Sequence, residues 1–273
     1  SQNICSTTLV RDDSDKESYN VSPTTSTRYV SSDERKGLVP RLLSDLMEKR
    51  DFHKSELKKA RELSDDEATF LHDQLQYAVK ILMNSFYGVF ASSFYRFTHP
   101  DLGASITEWA RHNIRTIIEN VEQDGHRVVY SDTDSIFVRA PVMADSPINR
   151  PPDNSLVFED WKSAREETLD FGNRLAERFT KEGAELEFET ALSAFFSHGA
   201  KKRYVGRVVW PREEMLIRGY EVRRTDSFRL LTRTMTEMFE LILSNEEWSA
   251  VEMSKSVIDD VRERRIEASD LVI

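Results

Sequence analysis

Apolar positions along the chain follow two periodicities, and the changes between them mark out its elements. From Leu38 to Leu63 they recur at spacings of three and four, as Leu38, Leu42, Leu43, Leu46, Met47 and Phe52. That is the stripe of an amphipathic helix, and Pro40 is tolerated in its first turn. Ser64 with Glu67 three residues on forms a capping box and opens a second helix through Tyr87, which Gly88 stops. So short a link predicts an antiparallel αα-hairpin. Asp101–Glu122 predicts a third helix that buries Leu102, Ile106, Trp109, Ile114, Ile117, Ile118 and Val121 and ends at Gly125. Glu159–Glu182, Asp226–Leu243 and Glu246–Arg265 carry the same period. Strand patterns occupy Val128–Val138, Ala184–Phe196, Arg203–Trp210 and Met215–Tyr220. Ser1–Val10 reads as a strand and its approach. Arg11–Lys36 is a polar loop expected to stay out of the core, and Ala140–Ser155, with four prolines, is a surface loop. There is no internal repeat.

Composition narrows the class. The 273 residues carry 32% charged side chains and a net charge of −10. The single cysteine, Cys5, excludes an internal disulfide framework and a Cys-based zinc site, so a reducing, intracellular (cytoplasmic) location is expected. No apolar run approaches the ~18 residues that cross a bilayer, and no signal-peptide pattern opens the chain, so no membrane partner is expected. Ser1 in place of an initiator Met suits a processed product or a fragment. The acidic total argues at first against a nucleic-acid partner, but the charge is segregated. Bases exceed acids from Arg35 to Arg61 and from Lys201 to Arg233, while acids gather in Asp153–Glu189. Two basic stretches on an acidic body suit a polyanion held at defined surfaces.

Two stretches carry chemistry. Val128–Val138 reads Val-Val-Tyr-Ser-Asp-Thr-Asp-Ser-Ile-Phe-Val, two β-branched runs around a polar turn. In extended backbone Asp132 and Asp134 point to one side and Thr133 to the other. Such a pair is half a site for a hard divalent cation such as Mg²⁺, or equally a solvated Asp-rich turn. On the second helix Lys80, Asn84 and Tyr87 fall at i, i+4 and i+7, on one face, opposite Ile81, Leu82 and Phe86, which suit packing against a body. A cation, an amide and a ring in line can hold a phosphate and meet a base. They also suit a mixed solvent face anchored by Tyr87. Arg50 and Lys54 on the first helix can meet the level of Lys80 and Asn84, enough charge for a triphosphate.

Lys80-x3-Asn84-Ser85-x-Tyr87-Gly88 followed by Tyr130-Ser131-Asp132-Thr133-Asp134-Ser135 resembles two signature motifs of family B DNA polymerases, with archaeal wording around Phe86–Ser93 and Ser105–Arg111. Lys201-Lys202-Arg203-Tyr204 and Ile217-Arg218-Gly219-Tyr220-Glu221 resemble two further blocks of that family in the same order, and Asn3–Val10 is similar to the stretch after its first palm motif. The resemblance implies an α+β fold. Its parts would be an antiparallel-sheet palm (an entering strand and loop at 1–37, then 89–225), a two-helix fingers hairpin at 38–88 and a partial helical thumb at 226–273. It implies Asp134 as a direct Mg²⁺ ligand and Asp132 as a ligand or a close neighbouring acid. Arg50, Lys54, Lys80 and Asn84 would bind the dNTP triphosphate, with Tyr87 beside the nascent base pair. Lys201, Lys202, Arg203 and Tyr204 would contact primer–template DNA, Lys202 in the minor groove near the primer end. Arg218 and Arg223 would face the phosphate backbone. Glu187 and Glu189 would lie near the site.

The resemblance also exposes a gap. The family's first palm motif, an Asp followed shortly by Ser-Leu-Tyr-Pro-Ser, has no counterpart here. Two Mg²⁺ ions need more acid than one hairpin supplies. The expectation is a DNA-directed DNA polymerase segment that does not polymerise alone and needs a complementing N-terminal chain, with a non-catalytic primer–template-binding fragment as the alternative.

Overall fold

The computed structural model describes residues 2–10, 18–96, 98–142, 146–181, 186–223 and 226–272, with the Arg223 side chain also outside that set. The chain divides into two units, Ser1–Thr116 and Ile117–Ile273, and the boundary falls within a helix.

In the first unit, α1 (Leu38–Glu62) and α2 (Asp66–Ala91) form the predicted antiparallel hairpin. The cap of α2 lies one residue later than the sequence suggests. Asp65, not Ser64, accepts the Ala68 N–H at 3.0 Å, and Ser64 takes φ 54° in the link. Gly88 does not stop α2, which continues to bury Phe90.

The buried seam also departs from expectation. Leu38, Leu42, Met47 and Phe52 are exposed, as are Ile81 and Leu82. The inward positions are Leu43, Leu46, Arg50, His53, Leu57 and Ala60 on α1, and His72, Gln76, Val79, Met83, Phe86 and Phe90 on α2. Both runs keep the three-four spacing, but polar residues occupy their middle, which hides the register from a reading based on apolar residues.

In the stretch read as an entering strand, residues 2–10 form a hook instead. Asn3, at φ 56°, donates from Nδ2 to the Val30 and Arg35 carbonyls and accepts the Gly37 N–H, and Leu9 makes a single bridge to Tyr29. The stretch read as a polar loop contains β1 (Tyr19–Val21) and β2 (Arg28–Val30), and it does enter the core. Tyr29 is fully buried against Phe90 and Leu102, its hydroxyl on Ser105 Oγ at 2.9 Å. A buried phenol needs such a partner. Burial pushes the Tyr29 phenol up, partly opposed by that hydrogen bond.

Helix α3 (Pro100–Gln123) matches its predicted span and ends before Gly125, at φ 83°. In the second unit β3 (Val128–Asp132) and β4 (Ser135–Val138) form an antiparallel hairpin. Helix α4 (Phe158–Lys181) follows, then β5 (Ala191–Phe196), β6 (Tyr204–Trp210) and β7 (Glu214–Arg218) in one antiparallel sheet of order β5-β6-β7. The strand read from Ala184 begins only at Ala191; residues 182–185 lie outside the described set. Ile117, Val121 and Phe179 pack under the hairpin. Helix α5 (Arg229–Leu243) packs Phe239 and Leu243 on Val205, Ile217 and Tyr220, and α6 (Glu247–Arg262) lies against α5. Among the described residues no helix is long and apolar enough to cross a membrane.

Candidate functional site

In the second unit, four aromatic rings fasten the β3–β4 hairpin to a sheet it shares no ladder with. Tyr130 pairs with Phe137 across the hairpin at a centroid distance of 5.7 Å, and both rings meet Phe195 of β5 and Tyr204 of β6 at 5.0 to 5.6 Å. Offset and edge contacts at that range add about 0.5–1.5 kcal/mol per pair beyond area burial.

The hairpin turn is two residues, Thr133 and Asp134, between the paired Asp132 and Ser135. So tight a turn needs φ > 0 at its first position, and Thr133 supplies 56°. Asp132 and Asp134 therefore do not alternate along one strand: Asp132 ends β3 and Asp134 sits in the turn. Nor does Thr133 face away. Its Oγ1 donates to Asp132 Oδ1 at 3.1 Å.

Above the turn lies the segment 197–203. Lys202, at φ 63°, donates its backbone N–H to the Tyr130 hydroxyl at 2.9 Å. Its ammonium reaches Thr133 Oγ1 at 3.0 Å and Asp132 Oδ1 at 3.2 Å. Gly219, at φ 72° just after β7, closes the arrangement, because a Cβ there would stand 2.1 Å from the Lys202 carbonyl oxygen. Burial raises the Tyr204 phenol, with the Arg218 guanidinium opposing and Asp132 adding to the shift. Tyr220 is raised by burial too, opposed by Arg203, whose guanidinium lies over its ring and pairs with Glu221 at 3.4 Å. Lys201, Lys202, Arg203 and Arg218 are all exposed, and Tyr204 is buried.

Asp132 is half-buried and Asp134 exposed. Among the described residues no group of three or more His, Cys, Asp or Glu could hold a metal. Two carboxylates supply too few acidic ligands for two hard divalent ions, each of which takes six or more oxygens. Glu187 and Glu189 are exposed in the segment before β5.

In the first unit Lys80, Asn84 and Tyr87 are exposed, as their common face predicts. The antiparallel register is fixed by His53 Nδ1 and His72 Nδ1 at 3.0 Å. At 1.5 Å per residue this puts Arg50 and Lys54 nearer the interhelical link than Lys80, by about 7.5 and 13.5 Å along the axis. Lys54 is exposed, whereas Arg50 belongs to the seam, with its Nε buried and unpartnered among the described residues.

Tyr130, Thr133, Phe195 and Gly219 were missed as site residues. Three of them sit inside the quoted blocks, where Gly between Arg218 and Tyr220 was the available signal of a close backbone approach.

The model of DNA polymerase family B matches residues 1–148. The DNA polymerase of Thermococcus gorgonarius is 30% identical over 262 residues, covering 94% of this chain and 30% of the relative. That of Archaeoglobus fulgidus is 32% identical over 240 residues, covering 87% and 27%. The chain thus spans under a third of the length of these relatives. The solved family B DNA polymerase of Pyrobaculum calidifontis shares the fold at a TM-score of 0.67 and 23% identity, covering the whole chain and 32% of that structure. With the family model matching more than half of its residues, the chain belongs to DNA polymerase family B.

Proposed function

We propose that this chain serves template-directed DNA synthesis, contributing palm residues from its second unit and fingers residues from α1 and α2. The observation that carries this reading is the joining of two separate sequence blocks at one place: the Asp132–Asp134 turn and the Lys201–Tyr204 segment are bonded through Lys202.

The substrates on this reading are a primer–template duplex and a dNTP. The oxygen of the primer 3′-hydroxyl forms a bond to the α-phosphorus, the bond to the bridging β-phosphate oxygen breaks, and pyrophosphate leaves as the hydroxyl proton is lost. Asp134, with Asp132 beside it, would hold Mg²⁺, which lowers the charge on the phosphate oxygens and favours the ionised hydroxyl. Arg50, Lys54, Lys80 and Asn84 bind the triphosphate, and Tyr87 meets the base. Lys201, Lys202 and Arg203 hold the duplex, with Arg218 toward its phosphates. Catalysis of this kind is positioning and charge neutralisation, with no covalent nucleophile on the protein. A second ion needs a further carboxylate, so extension by these 273 residues alone is not expected.

The test is fluorescence anisotropy of a labelled primer–template with the 273-residue chain across a salt series. Binding should weaken as salt rises, and the slope should fall by about one for each phosphate-contacting cation removed among Lys201, Lys202 and Arg203. Affinity indifferent to salt and to all three changes would sink the reading.

A further inference from the structure

The two acids of the hairpin sit in different surroundings, and this separates their roles. Asp132 Oδ1 takes the Lys202 ammonium at 3.2 Å and the Thr133 hydroxyl at 3.1 Å. The Thr133 hydroxyl in turn accepts from the same ammonium at 3.0 Å, which closes a three-membered ring of polar contacts. The Asp132 side chain is 21% exposed and that of Lys202 69%. Asp134 lies beyond this ring, exposed in the turn.

We propose that Asp132 is a positioning residue that holds the Lys202 ammonium for the primer–template duplex, and that Asp134 is the acid left for the divalent ion. The proposal rests on the polymerase reading above and divides its acidic pair.

An ammonium has three donors. Asp132 and Thr133 take two, and one remains for an acceptor on the duplex. A free lysine side chain carries about 2 kcal/mol of rotamer entropy, which binding would otherwise have to remove. Fixing it beforehand moves that cost into the folded protein. A carboxylate oxygen already facing an ammonium is also a poor ligand for a dication, since the lysine charge repels the ion at short range.

The backbone supports the same division. Thr133 and Lys202 both adopt positive φ, at 56° and 63°. For a β-branched residue this is a sparsely populated conformation that persists only where its surroundings over-determine it. The surroundings here are mutual: the two residues bond each other, Tyr130 holds the Lys202 N–H, and Gly219 leaves room for the Lys202 carbonyl. Two of the seven positive-φ non-glycine positions among the described residues thus meet at this one contact.

The proposal makes a prediction of unusual sign. Neutralising an acid on a DNA-binding surface ordinarily tightens binding to a polyanion. Asp132→Asn should instead weaken primer–template binding, by about three- to tenfold in metal-free buffer. Asp134→Asn should leave it unchanged or tighter. In a double-mutant cycle Asp132→Asn should add nothing to Lys202→Gln, whereas Asp134→Asn and Lys202→Gln should combine additively. Asp132→Glu, which keeps a carboxylate, should recover part of the loss. Near-ultraviolet circular dichroism checks that each variant is folded. Tighter duplex binding by Asp132→Asn, or additivity with Lys202→Gln, overturns the proposal while leaving the polymerase reading standing. Failure of the unsubstituted chain to bind the duplex in a salt-dependent way overturns both.

Discussion

At the β3–β4 turn the protein supplies Lys202 with its own polar partners, whereas Lys80, Asn84 and Tyr87 lie exposed along α2. The first arrangement is complete before any ligand arrives. Rings brace it from one side, and a glycine admits a carbonyl that any side chain would push away. The second presents a face and leaves its partners to be met on binding. Behind that face the helix seam is partly polar, with Arg50, His53, His72 and Gln76 at inward positions and large apolar residues such as Phe70 and Phe52 outside. A helical pair with few buried apolar contacts sits at the low-stability end of a protein, where elements that move on ligand binding are drawn from. On the reading proposed above, a duplex would meet residues already held in place, while a nucleotide would meet residues on a pair of helices able to shift, the difference that closure over a nucleotide needs.

The largest effect that could break the comparison is expected from Gly219→Ala. The new Cβ would overlap the Lys202 carbonyl, 2.1 Å away, at a backbone φ of 72°. Strain plus overlap should cost about 3 kcal/mol in urea unfolding, and duplex affinity should fall with it as Lys202 is displaced. A stability change below about 1 kcal/mol would show that the segment around Lys202 is not fixed from beneath.

Next is the seam of the helical hairpin. The contact between His53 Nδ1 and His72 Nδ1 requires one ring to donate and the other to accept. Replacing both by leucine should leave no stranded histidine nitrogen and should raise stability by about 1 kcal/mol, whereas His72→Leu alone strands the His53 nitrogen and should cost about as much. Calorimetry of these two variants beside the unsubstituted chain decides this. If the double variant is no more stable than the single one, polarity is not what loosens the seam. On the reading proposed above, a stiffened hairpin should also slow any rearrangement on nucleotide binding.

Much of this contrast was legible in the sequence, though unevenly. The helix spans were plain because Leu38–Leu63 and Asp101–Glu122 keep their period over many turns. Which face of α1 turned inward was not, since Arg50 and His53 hold seam positions that a hydrophobic count passes over. The Asp-Thr-Asp turn was identifiable as a hairpin, but an extended-strand rule placed Thr133 on the wrong side. A two-residue turn consumes Thr133 and Asp134, and alternation stops where a turn begins. Tyr29 reads as loop because its neighbours are polar; its burial depends on Phe90 and Leu102, which no local window contains. Lys202 reached Asp132 through a fold contact across seventy positions, so only the family resemblance suggested that the two blocks belong together.

The smallest effect on stability, and the one that sharpens the contrast most, is expected at Lys80. It is exposed on α2, and no described side chain bonds or ion-pairs with it. Lys80→Ala should therefore change unfolding free energy by no more than about 0.5 kcal/mol, as for a surface site away from caps and core. If Lys80 meets a phosphate, the same change should weaken dNTP binding by about 10- to 100-fold, because a hydrogen bond to a charged group contributes about 1.5–3 kcal/mol. Lys202→Gln should behave differently, since it removes two internal contacts as well as a ligand contact and so should register in both measurements. Equilibrium titration with a fluorescent dNTP analogue, set beside urea unfolding of the same two variants, reads both axes at once. If Lys80→Ala lost stability and kept nucleotide affinity, the exposed face of α2 would be holding the protein together rather than waiting for a ligand, and the distinction between the two regions would fall.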